Sequence, residues 1–173
     1  MNNIALIGFM ATGKSTVGPA LARELGWPVV DTDAEIERLT GQTIADIWRF
    51  QGEAAFRKTE EEIVGRLAEQ RQIVIVTGGG VVLSLNNVEA LQRQTFVVGL
   101  QAALEVIAER VRRDAKRPLL SGGDPKVLIG ELFEARAGKY DFAHVTIDTS
   151  KTAVSKVVAK IMAHPLCPKG KRG

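Results

Sequence analysis

Short runs of β-branched and aliphatic residues alternate along this chain with longer stretches in which apolar positions recur every three or four residues. Five of the short runs read as strands: Asn3–Gly8, Pro28–Asp31, Ile73–Thr77, Thr95–Leu100 and Val145–Asp148. They are nearly continuous in apolar character rather than alternating, the pattern of strands covered on both faces. Helical patterns lie between them, at about residues 14–25, 33–39, 43–70 with a break near Gly52, 86–93, 101–113, 126–139 and 151–163. In the long one Phe56, Ile63 and Leu67 share a stripe, with Arg57, Glu60 and Glu61 beside it. Strand–helix alternation of this kind predicts crossover units, hence a mainly parallel sheet with helices on both faces. There is no internal repeat and no low-complexity linker, so one α/β domain is expected over residues 1–164, with residues 165–173 a basic, flexible tail.

The chain has 173 residues, 45% hydrophobic and 25% charged, a length and balance that exclude disordered and fibrous classes. No stretch approaches the ~18 consecutive apolar residues of a membrane span. The start, Met1-Asn2-Asn3, is not basic and its apolar run stops at Gly8, unlike a secretory signal. One cysteine, Cys167, has no intramolecular partner, which fits a reducing compartment. A cytoplasmic protein that binds no membrane is the expectation. The net charge of +3 arises from Lys169, Lys171 and Arg172; without them the remainder is neutral. With aromatics at only 5%, the basic isoelectric point does not signal a nucleic-acid partner.

In parallel sheets ligands gather at the carboxyl ends of the strands, and there the chemistry concentrates. After the first strand, Gly8 to Ser15 match G-x-x-x-x-G-K-S between an apolar strand and a helix. Glycines let several backbone N–H groups converge on an anion, and the helix N-terminus adds its dipole. In this reading Ala11, Thr12, Gly13, Lys14, Ser15 and Thr16 wrap the phosphates of a nucleoside triphosphate. Lys14 supplies the fixed cation, and Ser15 offers its hydroxyl to Mg²⁺. After the second strand stand Asp31 and Asp33. One of them caps the next helix, for which Asp33 before Ala34-Glu35-Ile36 is well placed. Beside a phosphate loop the pair can also hold Mg²⁺ through water and orient a hydroxyl that receives phosphate. After the third strand, Gly78-Gly79-Gly80 either permits a tight turn or lets a small polar ligand approach the backbone.

Arg57 fits an exposed ion pair with Glu61 four residues on. Arg110, Arg112, Arg113, Lys116 and Arg117, ahead of Pro118 and Gly122-Gly123, read as a closing lid over about 112–124. A solvated helix end would carry the same charges. Taken alone, Arg136, His144 and His164 have no pairing or spacing that assigns them chemistry.

Together these residues resemble the shikimate kinases over about residues 4–160. The motifs that carry the resemblance are Gly8–Thr16, Asp31-Thr32-Asp33, Gly41-x-x-Ile44-x-x-Ile47, Gly52-Glu53-x-x-Phe56-Arg57-x-x-Glu60, Gly78-Gly79-Gly80, Arg117-Pro118-Leu119-Leu120 and Arg136-x-x-x-Tyr140. The resemblance implies a nucleoside-monophosphate-kinase-like three-layer sandwich with parallel strand order 2-3-1-4-5 and a mobile lid. It implies a monomer that phosphorylates the 3-hydroxyl of shikimate with ATP and Mg²⁺, in the route to aromatic amino acids. It also implies roles: Asp31 beside Ser15 at the metal, Asp33 on the reacting diol, and Arg57, Arg136 and the glycines 78–80 on shikimate. Arg117 would reach the ATP phosphates, Arg110 would lie against adenine, and the loop near Lys151 and Thr152 would touch adenine. An arginine fork gripping the carboxylate of shikimate agrees with that assignment.

The departures are few. Ala11 stands where the family often has glycine, Trp48 where phenylalanine is usual, and the tail from Pro165 lies outside the pattern. A gluconate kinase would share the phosphate loop but not the remaining set. A non-enzymatic nucleotide-dependent switch would bind nucleotide without turnover.

Overall fold

The computed structural model describes residues 1–113 and 125–169. In chain order the elements are β1 (Asn3–Ile7), α1 (Lys14–Leu25), β2 (Val29–Asp31), α2 (Thr32–Thr40), α3 (Ile44–Ala68) and β3 (Val74–Val76). A 3₁₀ turn at Val81–Leu83 precedes α4 (Leu85–Gln94), β4 (Thr95–Gln101), α5 (Leu104–Arg113), α6 (Pro125–Ala135), β5 (Val145–Asp148) and α7 (Val154–Ala163). The strands form one sheet in the order β2-β3-β1-β4-β5. Every neighbouring pair is parallel, with Ile4 opposite both Val74 and Phe96. The expected sheet and strand order are therefore present.

The continuous apolar strands have the expected cause. Along β1, Ile4 and Leu6 join Val17, Leu21, Val157 and Ile161 of α1 and α7 on one face. Ala5 and Ile7 join Ile63, Val64 and Leu91 of α3 and α4 on the other. All four β1 residues are fully buried, each large side chain contributing about 1.5–3 kcal/mol of transfer free energy. A third cluster, with Phe9, Met10, Ala102, Ile107 and Ile129, packs α5 and α6 beneath the loop after β1. Cys167 is buried at the edge of the first cluster.

Element boundaries moved where backbone geometry overrides periodicity. Helix α6 stops at Ala135 rather than 139, because Arg136 to Phe142 form successive turns around Gly138, whose φ is 73°. Helix α5 begins at Leu104 rather than 101, since β4 keeps Gln101 in the sheet opposite Asp148. Helix α7 begins at Val154 rather than 151. The break expected near Gly52 is present: its φ of 83° and ψ of 171° split α3 into two helical arms. Glycine alone adopts such values without strain.

Candidate active site

At the carboxyl end of β1 the backbone passes so close to the neighbouring strand β4 that a Cβ on Gly8 would lie 2.2 Å from the Leu100 carbonyl oxygen. Helix α1 then starts at Lys14, behind Gly13, with no side chain capping its first N–H groups. Those groups face the loop, as an anion-binding helix terminus requires. Lys14 is 7% exposed, and its Nζ donates to the carbonyls of Gly8 at 2.7 Å and Phe9 at 2.9 Å. Thr12 is buried and closes the loop through its hydroxyl to Phe9 O, whereas Ser15 and Thr16 are exposed. Ala11 sits at φ 58°, left-handed territory that costs a side-chain-bearing residue about 1 kcal/mol. Its carbonyl accepts a hydrogen bond from Arg110 at 3.0 Å, which fixes the peptide in that state. Arg110 also donates to both oxygens of Thr149, whose hydroxyl donates to Thr12 O at 2.8 Å. The phosphate-type loop and the segment after β5 are thus tied together. Thr152, half-buried in that segment, has no contact that singles it out.

The two aspartates divide their work differently from the expectation that Asp33 caps the helix. Helix α2 begins one residue earlier, at Thr32, so the cap falls on Asp31. The Asp31 carboxylate accepts from Asp33 N at 2.9 Å and Ala34 N at 3.2 Å. Asp33 is thereby released from capping. Its Oδ1 is buried with no hydrogen-bond partner among the described residues. Burial first, then the neighbouring Asp31 and Glu60 carboxylates, raise its pKa from the usual 3.8 to about 6, against the pull of Lys14. A buried carboxyl oxygen left unpaired is costly unless a ligand completes it.

Gly78, Gly79 and Gly80 follow β3, with Gly78 N–H donating to the buried Thr32 hydroxyl at 3.0 Å. Each glycine faces a different site residue. A Cβ on Gly78 would lie 2.8 Å from Asp33 Oδ1, one on Gly79 3.6 Å from an Arg136 nitrogen, and one on Gly80 2.8 Å from both terminal nitrogens of Arg57. Gly78 and Gly80 leave room for Asp33 and Arg57 as they are placed, whereas the atom nearest a Cβ on Gly79 is Met10 N at 3.3 Å.

Arg57 does not pair with Glu61, contrary to the exposed pair expected from the sequence. Its Nη1 donates to Glu60 at 2.8 Å, and Glu53 lies at 3.3 Å. Glu61 instead accepts from Ser84 at 2.6 Å and Asn86 at 3.1 Å, holding the start of α4. The difference is one of helix face. Position 60 follows Phe56 by four and points inward, 1% exposed, where burial raises its pKa despite Arg57. The Arg57 guanidinium also lies over the rings of Phe56 and Trp48, at 5.1 and 5.7 Å. Arg136, just past α6, lies 5.5 Å from the Phe9 ring and donates to Gly79 O at 3.3 Å.

Two residues of this constellation escaped the sequence reading of individual roles. Glu60 carried a signal, a carboxylate interrupting the stripe Phe56–Ile63–Leu67. Tyr140 carried only its place in the Arg136-x-x-x-Tyr140 motif; its hydroxyl donates to Gly79 O at 2.8 Å. Arg117 and residues 114–124 of the expected lid lie outside the described residues. Arg112 and Arg113 end α5 and pair with Glu109.

Among the described residues no three His, Cys, Asp or Glu side chains cluster as a metal site, and no helix is long and apolar enough to cross a membrane. The assembled geometry offers an anion-binding loop with a buried lysine, an unpaired carboxyl and two arginines around a glycine floor. A family model described as shikimate kinase matches residues 10–164. A shikimate kinase of Desulforudis audaxviator is 49% identical over 162 residues, covering 94% of this chain and 85% of its own. One from Symbiobacterium thermophilum is 45% identical over 174 residues, with 99% of each covered. The structure of shikimate kinase from Acinetobacter baumannii in complex with shikimate superposes with a TM-score of 0.87 at 38% identity, covering 94% of this chain and 91% of that one. With the loop, the carboxyl and the arginines placed as described, the chain belongs to the shikimate kinase family of ATP-dependent kinases.

Proposed function

We propose that the chain transfers the γ-phosphoryl group of ATP to the 3-hydroxyl of shikimate, with the residues above in defined roles. The observation that carries the assignment is the buried, partnerless Oδ1 of Asp33, set between the Lys14 loop and the Gly78 backbone. A ligand hydroxyl satisfies that oxygen, and a hydroxyl is what receives the phosphoryl group. Asp33 accepts the hydrogen bond of the attacking hydroxyl and aims its lone pair at phosphorus. The new P–O bond forms as the bond to the ADP oxygen breaks. A loose transition state of this kind demands orientation more than a strong base. Lys14 and the first N–H groups of α1 offset the charge gathering on the phosphoryl oxygens. Arg57, Arg136 and the backbone at Gly79 grip the substrate carboxylate, for which forked guanidinium donors suit best.

Mg²⁺ would suit the donors present: the Ser15 hydroxyl, and Asp31 through water, would hold it, and it would supply positive charge against the β- and γ-phosphates. Arg110, fixed between Ala11 and Thr149, forms one wall for adenine, with Thr152 at its edge. Arg117, from a lid over residues 112–124, supplies the second cation. A monomeric domain over residues 1–164, working in the cytoplasm without nucleic acid or membrane partners, completes the proposal.

The test is ADP release with ATP, Mg²⁺ and a panel of shikimate, quinate, gluconate and nucleoside monophosphates. Turnover with shikimate exceeding the others is expected. Turnover with gluconate alone would replace the acceptor, and nucleotide binding without turnover on any acceptor would remove the kinase assignment.

A further inference from the structure

Tyr140 lies in the turns after α6, yet its hydroxyl reaches across to the glycine loop and donates to Gly79 O at 2.8 Å. Arg136 Nη1 donates to the same carbonyl at 3.3 Å. The carbonyl therefore has two donors for its two lone pairs, and the tyrosine makes the shorter bond. A peptide unit is planar, so fixing the Gly79 oxygen also fixes the direction of the Gly80 N–H. Glycines have no side chains to hold that plane, which gives a donor on the carbonyl unusual leverage. Burial raises the pKa of Tyr140 above the ordinary phenol range, so the hydroxyl stays protonated as a donor. Tyr140 packs against two apolar clusters and borders a cavity of about 120 Å³ together with Phe9, Phe133 and Ala137. Packing places the ring, and the hydroxyl directs the carbonyl.

We propose that Tyr140 is a positioning residue for the acceptor pocket: by making the shorter bond to the Gly79 carbonyl that Arg136 shares, it sets the Gly79–Gly80 peptide and with it the place of the Arg136 guanidinium against an anionic substrate. The proposal rests on the reading of Arg136 as a shikimate ligand. Without the tyrosine hydroxyl, the longer Arg136 bond is the one side-chain hydrogen bond left to the carbonyl among the described residues, and both the peptide plane and the guanidinium lose a fixed partner.

Tyr140→Phe keeps the ring and removes only the donor. The expected result is a shikimate KM and calorimetric Kd raised about three- to ten-fold, the worth of one net hydrogen bond. The ATP KM and kcat stay within about two-fold, the loss being one of substrate binding shared by ground and transition states. The amide resonance of Gly80 should shift in the ligand-free variant, a readout that does not depend on turnover. Unchanged shikimate Kd with an unmoved Gly80 resonance overturns the proposal, as does an equal weakening of ATP. Arg136→Ala is measured alongside. If it binds shikimate weakly while Tyr140→Phe binds normally, only the tyrosine assignment fails. If Arg136→Ala binds shikimate like the wild type, the acceptor-site reading fails and the proposal falls with it.

Discussion

The guanidinium of Arg57 occupies the space that a side chain on Gly80 would need, its two terminal nitrogens standing 2.8 Å from the position of the missing Cβ. Gly80 itself has φ −94° and ψ −1°, values open to any residue. The glycine is therefore demanded by its neighbour and not by its backbone. Gly80→Ala should fold, displace Arg57 from Glu60, and raise the shikimate KM about ten- to a hundred-fold through misplacement of a group proposed to grip the substrate. Steady-state kinetics with each substrate varied in turn checks this. An unchanged shikimate KM would mean that Arg57 reaches the substrate from elsewhere.

Asp33 titrates at about 6 in the free protein, raised by burial. If its ionised form orients the acceptor hydroxyl, kcat/KM for shikimate should fall as pH drops through 6, and Asp33→Asn should lose the dependence along with most of the activity. Stability moves the other way. The folded state holds this proton more tightly than the unfolded chain, so stability declines as pH rises from about 4 to 6 and stays lower above. The shift corresponds to about 3 kcal/mol at pH 8, an order-of-magnitude figure. Asp33→Asn should accordingly melt higher than wild type at pH 8 and lose that advantage near pH 4. Thermal melts across pH measure it.

Arg57→Ala and Arg136→Ala should each weaken shikimate binding by ~2–5 kcal/mol while leaving nucleotide binding little changed. Arg57→Ala carries a second cost, since it strands the buried Glu60 carboxylate beside Asp33. Its melting temperature should fall further than that of Arg136→Ala, and more so at alkaline than at acid pH, where Glu60 takes up a proton. Calorimetric titration with shikimate and ATP, with melts at two pH values, separates the two effects.

Arg117 is assigned from its motif, as a cation that matters when charge spreads over the transferring phosphoryl group. Arg117→Ala should lower kcat by far more than it weakens shikimate binding, up to about 10³–10⁵-fold at the upper end for such arginines. Arg117→Lys should recover part of the loss, restoring charge without the fork. Kinetics of Arg117→Ala indistinguishable from wild type would make it a solvated surface residue, and a pure KM effect would move it to substrate binding.

The sequence by itself determined the layers of this protein and the chemistry of its loop. Ile4 to Ile7 read as a strand buried on both sides because every position is apolar, a local property that survives in any register. The pattern from Gly8 to Ser15 is contiguous, so the folded loop is legible before folding. Tertiary structure decided what depends on neighbours distant in the chain. Whether Asp31 or Asp33 capped α2 turned on where the helix began after β2, a two-residue difference that the apolar periodicity of so short a helix does not fix. Glu60, and not Glu61, met Arg57 because the inward face of α3 is fixed by what packs beneath it. The three glycines are interchangeable in sequence, and only the fold gave each a different neighbour: the Asp33 carboxyl at Gly78, the Met10 backbone at Gly79 and the Arg57 guanidinium at Gly80. Periodicity reports which face of an element is buried; it carries no distance between elements, and the site is made of those distances.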